Sequence, residues 1–370
     1  MAAKRAATLG RLGLRWRPAR GLVIAWTVVL GLTAGSAAMM FDLMREPPPV
    51  APPAEAASAL PAPSPLRVTS LKLPPRPPAD FRVLPAAERE AMVEITADGL
   101  RLPRISPDGW MPWIAYSRRY APEGPAARVG LLMINVGADE ALTQRAIDEL
   151  PGEVSLAFLP GTPDLVRWMG RAHEHGHETY LMLPVEDPAG TVERGIRPIE
   201  ASAEPTENLR RLRVAMARGD GYVGLVVPSP GPVSQQEAVA RPLVQEIADR
   251  GLGLVEITPS PGPSAIYALT AELGVGYARS STVLDYKLAG RDIGASLDRL
   301  LEWTGEGQPD RPRHDFGVLQ PDAQSIDAIA AWRKNVAAQS IVALVPLIGH
   351  FECRDACMAR VRVQSAQLRP

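Results

Sequence analysis

The stretch RVGLLMINVGADEALTQRAIDELPGEVSLAFLPGTPDLVRWMGRAHEHGHETYLMLPVEDP, residues 128–188, decides the fold. It holds three short, continuous apolar runs: VGLLMINV at 129–136, VSLAFLP at 154–160 and TYLMLP at 179–184. A segment of helical pattern follows each of the first two. Strands apolar at successive positions must be covered on both faces, the condition of a parallel sheet packed between helices. The ends of these strands, where such folds place their chemistry, are nearly bare of metal-ligating side chains.

Working outward, the alternation continues. Strands are predicted around 129–135, 154–159, 179–183, 222–227, 252–257, 275–278, 316–319 and 341–345, and helices over 139–150, 163–175, 204–218, 234–250, 263–273, 291–303 and 322–337. Thr162 before Pro163 predicts a helix start, with a hydroxyl cap and proline at the first position. Gly176 and Gly251 stand where helix ends turn. Seven or eight such units predict an α/β fold, a distorted (β/α) barrel or barrel-like open sheet over residues 128–350, with any active site at the carboxyl ends of the strands. Ahead of it, residues 88–127 read as a lead-in arm. Its phrase LPRISPDGWMPWIAYSRRY mixes turn signals with Trp110, Trp113 and Tyr116, which call for burial.

The N-terminal part reads differently. Residues 1–20 carry Lys4, Arg5, Arg11, Arg15, Arg17 and Arg20 and no acid, and residues 21–41 are uncharged and mostly apolar until Phe41. Such a run reaches about 30 Å as a helix, enough to cross a bilayer with its basic flank in the cytoplasm. The expectation is a single-pass signal anchor in the inner membrane with the folded part in the periplasm; cleavage near Ser36 and Ala38 is the competing reading. Residues 42–87 alternate proline with alanine and read as a polyproline-like stalk with too few large apolar groups for a core. Lysine plus arginine (40) balance aspartate plus glutamate (41), so no global basic field favours nucleic acid as partner.

In the C-terminal tail, 351–370, Cys353 and Cys357 lie four apart. Export permits a disulfide, which closes easily in a loop and is strained in a regular helix; a free pair is the alternative, and two thiols alone lack the further ligands of a zinc site.

Taken in order, LPRISPDGWMPWIAYSRRY, VGLLMINVG and AIDELPGEVSLAFLPGTPDLVRWMGRAHEHGHETYLMLPVEDP resemble the divergent polysaccharide deacetylase family of YibQ type. The resemblance runs over about residues 101–349 through GYVGLVV, RGLGLVEI, AELGVGYAR, FGVLQP and ALVP. It implies the fold of the NodB-like carbohydrate esterases and hydrolysis of N-acetyl groups on a sugar polymer by a divalent metal held by an aspartate and two histidines, the metal polarising the carbonyl and acidifying a bound water. The departures fall on the ligand positions. Asn135 and Val136 stand where the family has paired aspartates, and Val227, Pro228 and Ser229 replace an asparagine-histidine phrase. Gln320 stands where a histidine is expected and Glu256 where an aspartate is. No cofactor is therefore expected.

Substitutes are scarce. His173, His175 and His177 form HEHGH, but neighbours two apart diverge on a helix and Gly176 ends it, so a solvated helix terminus at the end opposite the usual site is expected. His314 and His350 are isolated. Glu186, Asp187 and Glu256 are expected to share one cleft, where two carboxylates with pKa values driven apart can do acid/base chemistry without metal; a hydrogen-bonded polar mouth is the plainer reading. Asp285 matches an acidic position of the family. No GxSxG elbow or placed histidine activates Ser229, Ser260 or Ser280, and SPGP, at 229–232 and 260–263, lacks the amide donors of a phosphate loop.

The expected function is that of a periplasmic pseudoenzyme of the cell envelope binding a glycan, a cell-wall component or an envelope protein. An active carbohydrate hydrolase with a non-standard site is the alternative. Trp168 and Tyr222 are the aromatic residues to watch for sugar stacking, though their pattern suits the core.

Overall fold

The computed structural model describes residues 84–118, 127–186, 195–258, 262–280, 282–285, 292–308, 312–338, 341–353 and 357, all within the unit Val68–Pro370. The expected basic tail, the anchor, nearly all of the stalk and most of the C-terminal tail lie outside the described residues. Among those described, no helix is long and apolar enough to cross a membrane.

The lead-in arm comprises helix α1 (Ala86–Ala91), an antiparallel pair of β1 (Val93–Ile95) and β2 (Arg101–Pro103), and the short helix α2 (Pro112–Ala115). Proline opens α2, where its missing N–H costs nothing. The arm's aromatic content is explained by where it goes: Trp113 is 1% exposed, its backbone N–H donates to the Gly251 carbonyl at 3.1 Å, and its ring stacks on Phe351 at 5.7 Å.

Strand β3 (Ala127–Val136) is the seam of the parallel sheet. It pairs with β4 (Ser155–Phe158), and the order continues through β5 (Thr179–Met182), β6 (Gly224–Pro228), β7 (Gly253–Ile257) and β8 (Tyr277–Ser280). On the other side β3 pairs with β9 (His314–Leu319) over Arg128 to Met133, while β10 (Val342–Leu344) joins its first residues. Just after β8 the chain meets β9: Val318 N–H donates to the Thr282 carbonyl and Leu284 N–H to the Val318 carbonyl, both at 2.8 Å. The ring of seven strands, β3 to β9, is thereby nearly closed, within the expectation of seven or eight units in a barrel or barrel-like sheet.

The connecting helices fall where the helical patterns lie: α3 (Glu140–Glu149), α4 (Leu165–Glu174), α5 (Pro205–Met216), α6 (Pro232–Gln235), α7 (Glu237–Asp249), α8 (Ala265–Leu273), α9 (Ile293–Gly305) and α10 (Ala323–Ala338). Asp139 caps α3 by accepting the Leu142 N–H at 2.8 Å. The expected start of α4 needs correction. Thr162 does not cap it: the helix begins at Leu165 behind a left-handed Asp164, two residues beyond Thr162, whose hydroxyl donates to the Leu159 carbonyl at 2.7 Å. Gly176 and Gly251 do adopt positive φ, 87° and 64°, at the ends of α4 and α7.

Two apolar layers follow from strand alternation. Leu131, Leu156, Leu181, Leu225 and Leu254 face the helices, whereas Leu132, Ala157, Tyr180, Val226, Val255 and Phe316 fill the barrel with Trp113 and Phe351. Burial of this kind contributes about 25 cal/mol per Å² of apolar surface. Gly253 shows how closely the plug fits, since a Cβ there would stand 2.6 Å from the Phe351 ring. Cys353 and Cys357, with Cα atoms 5.3 Å apart, form a disulfide just beyond that ring.

A polar knot ties the amino end of the barrel. The Glu178 side chain, fully buried, accepts the backbone N–H of Arg118 at 2.9 Å and of Ile348 at 3.2 Å, and the hydroxyls of Ser155 and Tyr180 at 3.1 and 3.0 Å. Arm, β4, β5 and the 3-10 turn Leu347–His350 thus share one carboxylate.

Candidate cleft at the carboxyl ends of the strands

A cleft of about 890 Å³ opens where β3, β4, β5, β6 and β9 end, within the size of ligand sites generally. Asn135, Glu186, Ser229 and Gln320 all line it. Each is held differently. Asn135 has a left-handed backbone, φ 57°, a conformation that asparagine tolerates better than most residues, and it lies at the register shift between Met133 and Val136 near the end of β3. Gly137 follows with φ 100°, and a Cβ there would fall on the Thr162 side chain, so glycine lets the β3 and β4 loops touch across the mouth.

The Asn135 side-chain amide donates to the Gln320 side-chain oxygen at 3.4 Å, a long bond. Gln320 is placed by its own N–H, which donates to Asp285 at 2.7 Å. That gives the acidic residue flagged at 285 its position: it anchors the backbone after β9. Burial raises the Asp285 carboxyl above its usual range, the neighbouring Asp322 adding to this and the Gln320 N–H opposing it. Glu186 accepts the Ala201 N–H at 3.0 Å, while its own N–H donates to the Ile199 carbonyl at 2.8 Å. Ser229 donates to the Ser234 hydroxyl at 3.0 Å and has no imidazole beside it. The first SPGP phrase shapes this wall through Ser229, Pro230 and Gly231. Asp187, Ser260 and Pro261 lie outside the described residues.

Glu256 is not in the cleft. It shares a strand with Val255 and Ile257, which point into the barrel, so its parity turns it toward the helical layer. There it is fully buried, accepts the Tyr277 hydroxyl at 2.5 Å and lies 3.8 Å from the Arg279 guanidinium. Burial, with the Glu256 carboxylate, drives the Tyr277 hydroxyl well above its usual value. Glu186 and Glu256 therefore do not form the carboxylate pair that the sequence suggested.

The histidines sit at the other end. His177 is 2% exposed rather than solvated, with ring nitrogens 2.8 Å from the Val154 carbonyl and 3.1 Å from the Ile147 carbonyl in the last turn of α3. His173 contacts the Thr179 hydroxyl at 2.8 Å and stacks on Tyr116; burial pushes its pKa down to about 4. His175 alone matches the expectation of an exposed terminus, 3.6 Å from Asp148. His314 begins β9 and His350 packs on Phe316, both at the amino end of the strands. Trp168 and Tyr222 are buried in the outer layer and Ser280 donates to the Phe316 carbonyl across the barrel closure, so none of the three reaches the cleft.

The donor set decides the fit of a metal. Among the described lining residues the polar side chains are carboxylates (Glu140, Glu186), amides (Asn135, Gln320) and hydroxyls (Thr162, Ser229), without imidazole. Among the described residues no three His, Cys, Asp or Glu side chains are grouped to hold an ion. These residues do not fit a divalent metal bound by an aspartate and two histidines.

The sequence profile of the family described as divergent polysaccharide deacetylase matches residues 132–348. Among solved structures, the uncharacterized protein ATU2773 from Agrobacterium tumefaciens C58 is 25% identical, covers 67% of this chain and 98% of its own, and superposes with a TM-score of 0.59. A deoxyribose phosphate aldolase from Aeropyrum pernix reaches 15% identity, with 66% and 91% covered, but a TM-score of 0.29 that carries no argument. Comparison with curated proteins gives no match.

Proposed function

The chain belongs to the divergent polysaccharide deacetylase family, and on that premise we propose that it is a membrane-anchored, periplasmic protein of the cell envelope that binds through its mouth cleft instead of deacetylating. The observation that carries this reading is the meeting of Asn135, Ser229 and Gln320 in one cleft. These are the positions where the resemblance places metal ligands. All three are neutral, and neutral amide and hydroxyl groups bind by hydrogen bonds where carboxylate and imidazole would hold a cation.

The cleft suits binding on other grounds. Its walls are apolar at Leu159, Met182 and Val185, with a few convergent polar groups, the usual make-up of a recognition site. The partner on this reading is a glycan, a cell-wall component or an envelope protein, presented to the domain by the anchor and stalk read in residues 21–87. An active hydrolase is the second reading, and Glu186 is its one cleft carboxylate drawn from the sequence. Glu256, the partner the sequence suggested for it, is buried in the helical layer, so that pair does not form.

The test uses the full-length chain. It is incubated with isolated cell wall at low salt, and both retention and released acetate are measured. Retention without acetate, weakened by Asn135→Ala with Gln320→Ala, supports the reading. Acetate release that disappears in Glu186→Gln establishes the hydrolase instead.

A further inference from the structure

The chemistry of the cleft wall says more about the ligand than the reading above. Among the described lining residues the charged side chains are Glu140 and Glu186, with no lysine, arginine or histidine to offset them. A concave site of one sign repels ligands of that sign and concentrates the opposite one, so phosphates and carboxylates are disfavoured here and cations favoured. Glu186 is fixed for this role, because the Ala201 N–H holds one of its oxygens at 3.0 Å on the wall.

The apolar part is equally particular. Five prolines, Pro163, Pro184, Pro198, Pro228 and Pro230, stand in the lining, and none of the described lining residues is Phe, Tyr or Trp. A sugar ring packs its axial C–H groups on a flat aromatic face, and the described lining offers none. Proline and aliphatic walls instead fit small aliphatic side chains. At the neck, Asn135 and Gln320 each present an amide, donor and acceptor side by side, which is the pattern of a peptide group. Their mutual bond at 3.4 Å is weak enough to be exchanged for bonds to a ligand.

We propose that the cleft takes a short extended peptide with aliphatic residues and one basic side chain, its backbone read by Asn135 and Gln320 and its cation held by Glu186 and Glu140. The inference rests on the reading of the cleft as a binding site and narrows its ligand from glycan or protein to peptide.

An array of immobilised pentapeptides, outer positions drawn from Ala, Val, Leu and Pro and the centre Lys, Arg, Gln or Glu, is probed with the full-length chain. An N-acetylglucosamine tetramer serves as competitor and, labelled, as a separate probe. The expected result is at least tenfold stronger retention on Lys- or Arg-centred peptides than on Glu-centred ones. That preference shrinks at high salt and in the double variant Glu140→Gln, Glu186→Gln, and the tetramer does not displace the chain. Equal retention on Lys and Glu centres overturns the inference, as does a blank array with the tetramer bound; in the second case the binding reading survives. A blank array together with no retention of tetramer or cell wall overturns both.

Discussion

The Asn135 side-chain amide reaches the side-chain oxygen of Gln320, 3.4 Å away, across the neck formed where β3 and β9 end side by side. Two neutral amides meet where the family resemblance puts charged or imidazole ligands. Asn135 also holds a left-handed backbone at φ 57°. Residue type at 135 is therefore constrained twice, by conformation and by what it presents to the cleft.

The conformational constraint gives a simple expectation. Asn135→Gly leaves stability nearly unchanged, because glycine adopts this φ freely, whereas Asn135→Val costs about 1–2 kcal/mol through the clash of a β-branched side chain in that region. Unfolding midpoints of the two variants measure this. Equal stability of the two would mean that the irregularity in β3 relaxes elsewhere.

Gly253 is a second such position, set by packing instead of dihedral. With a Cβ placed 2.6 Å from the Phe351 ring, Gly253→Ala should destabilise by about 1–3 kcal/mol. Restoring room with Phe351→Leu in the same chain should recover part of the loss. A thermal melt showing no recovery would place the strain outside the plug.

Glu178 predicts a pH dependence. Burial pushes its carboxyl up from the ordinary 4.5 to about 7, while its four hydrogen-bond donors pull the other way. The folded state then holds this proton more tightly than the unfolded state. Its contribution to stability is complete below about pH 4.5 and is lost as pH rises through about 7, an effect on the order of 3 kcal/mol. Because His173 and His350, pushed down by burial, slope oppositely, the quantity to measure is the wild-type pH profile minus that of Glu178→Gln. The difference should fall between pH 4.5 and 7. A flat difference would show that the knot holds an ionised carboxylate throughout.

How far these features were legible in the sequence depends on the kind of signal. The apolar runs and their spacing gave the parallel sheet, because continuous burial of a strand is written in every one of its residues. The mouth positions Asn135, Glu186, Ser229 and Gln320 were legible because they terminate such runs. Glu256 was not, since in a strand apolar on both faces nothing local says which parity points inward; only Trp113 and Phe351, distant in sequence, define the inside. His177 was read as solvated from its polar neighbours, yet packing of α3 against β4 buries it and supplies two carbonyls. For Glu178 the sequence carries one signal, an acid immediately before the apolar run TYLMLP. Thr162 failed as a cap because the helix starts at Leu165 behind a left-handed Asp164, which leaves Thr162 two residues ahead of the capping position.

The central claim is that this mouth binds a ligand, with neutral amides and a hydroxyl at the positions where the resemblance places metal ligands, and does not hold a catalytic cation. Its most direct test is the divalent-metal content of the full-length chain, purified without chelator or metal-affinity steps, together with acetate released from N-acetylated cell wall. The account predicts far less than one zinc, nickel, cobalt or manganese per chain and no acetate above buffer. One tightly held ion per chain, lost in Asn135→Ala and accompanied by acetate release, would contradict it.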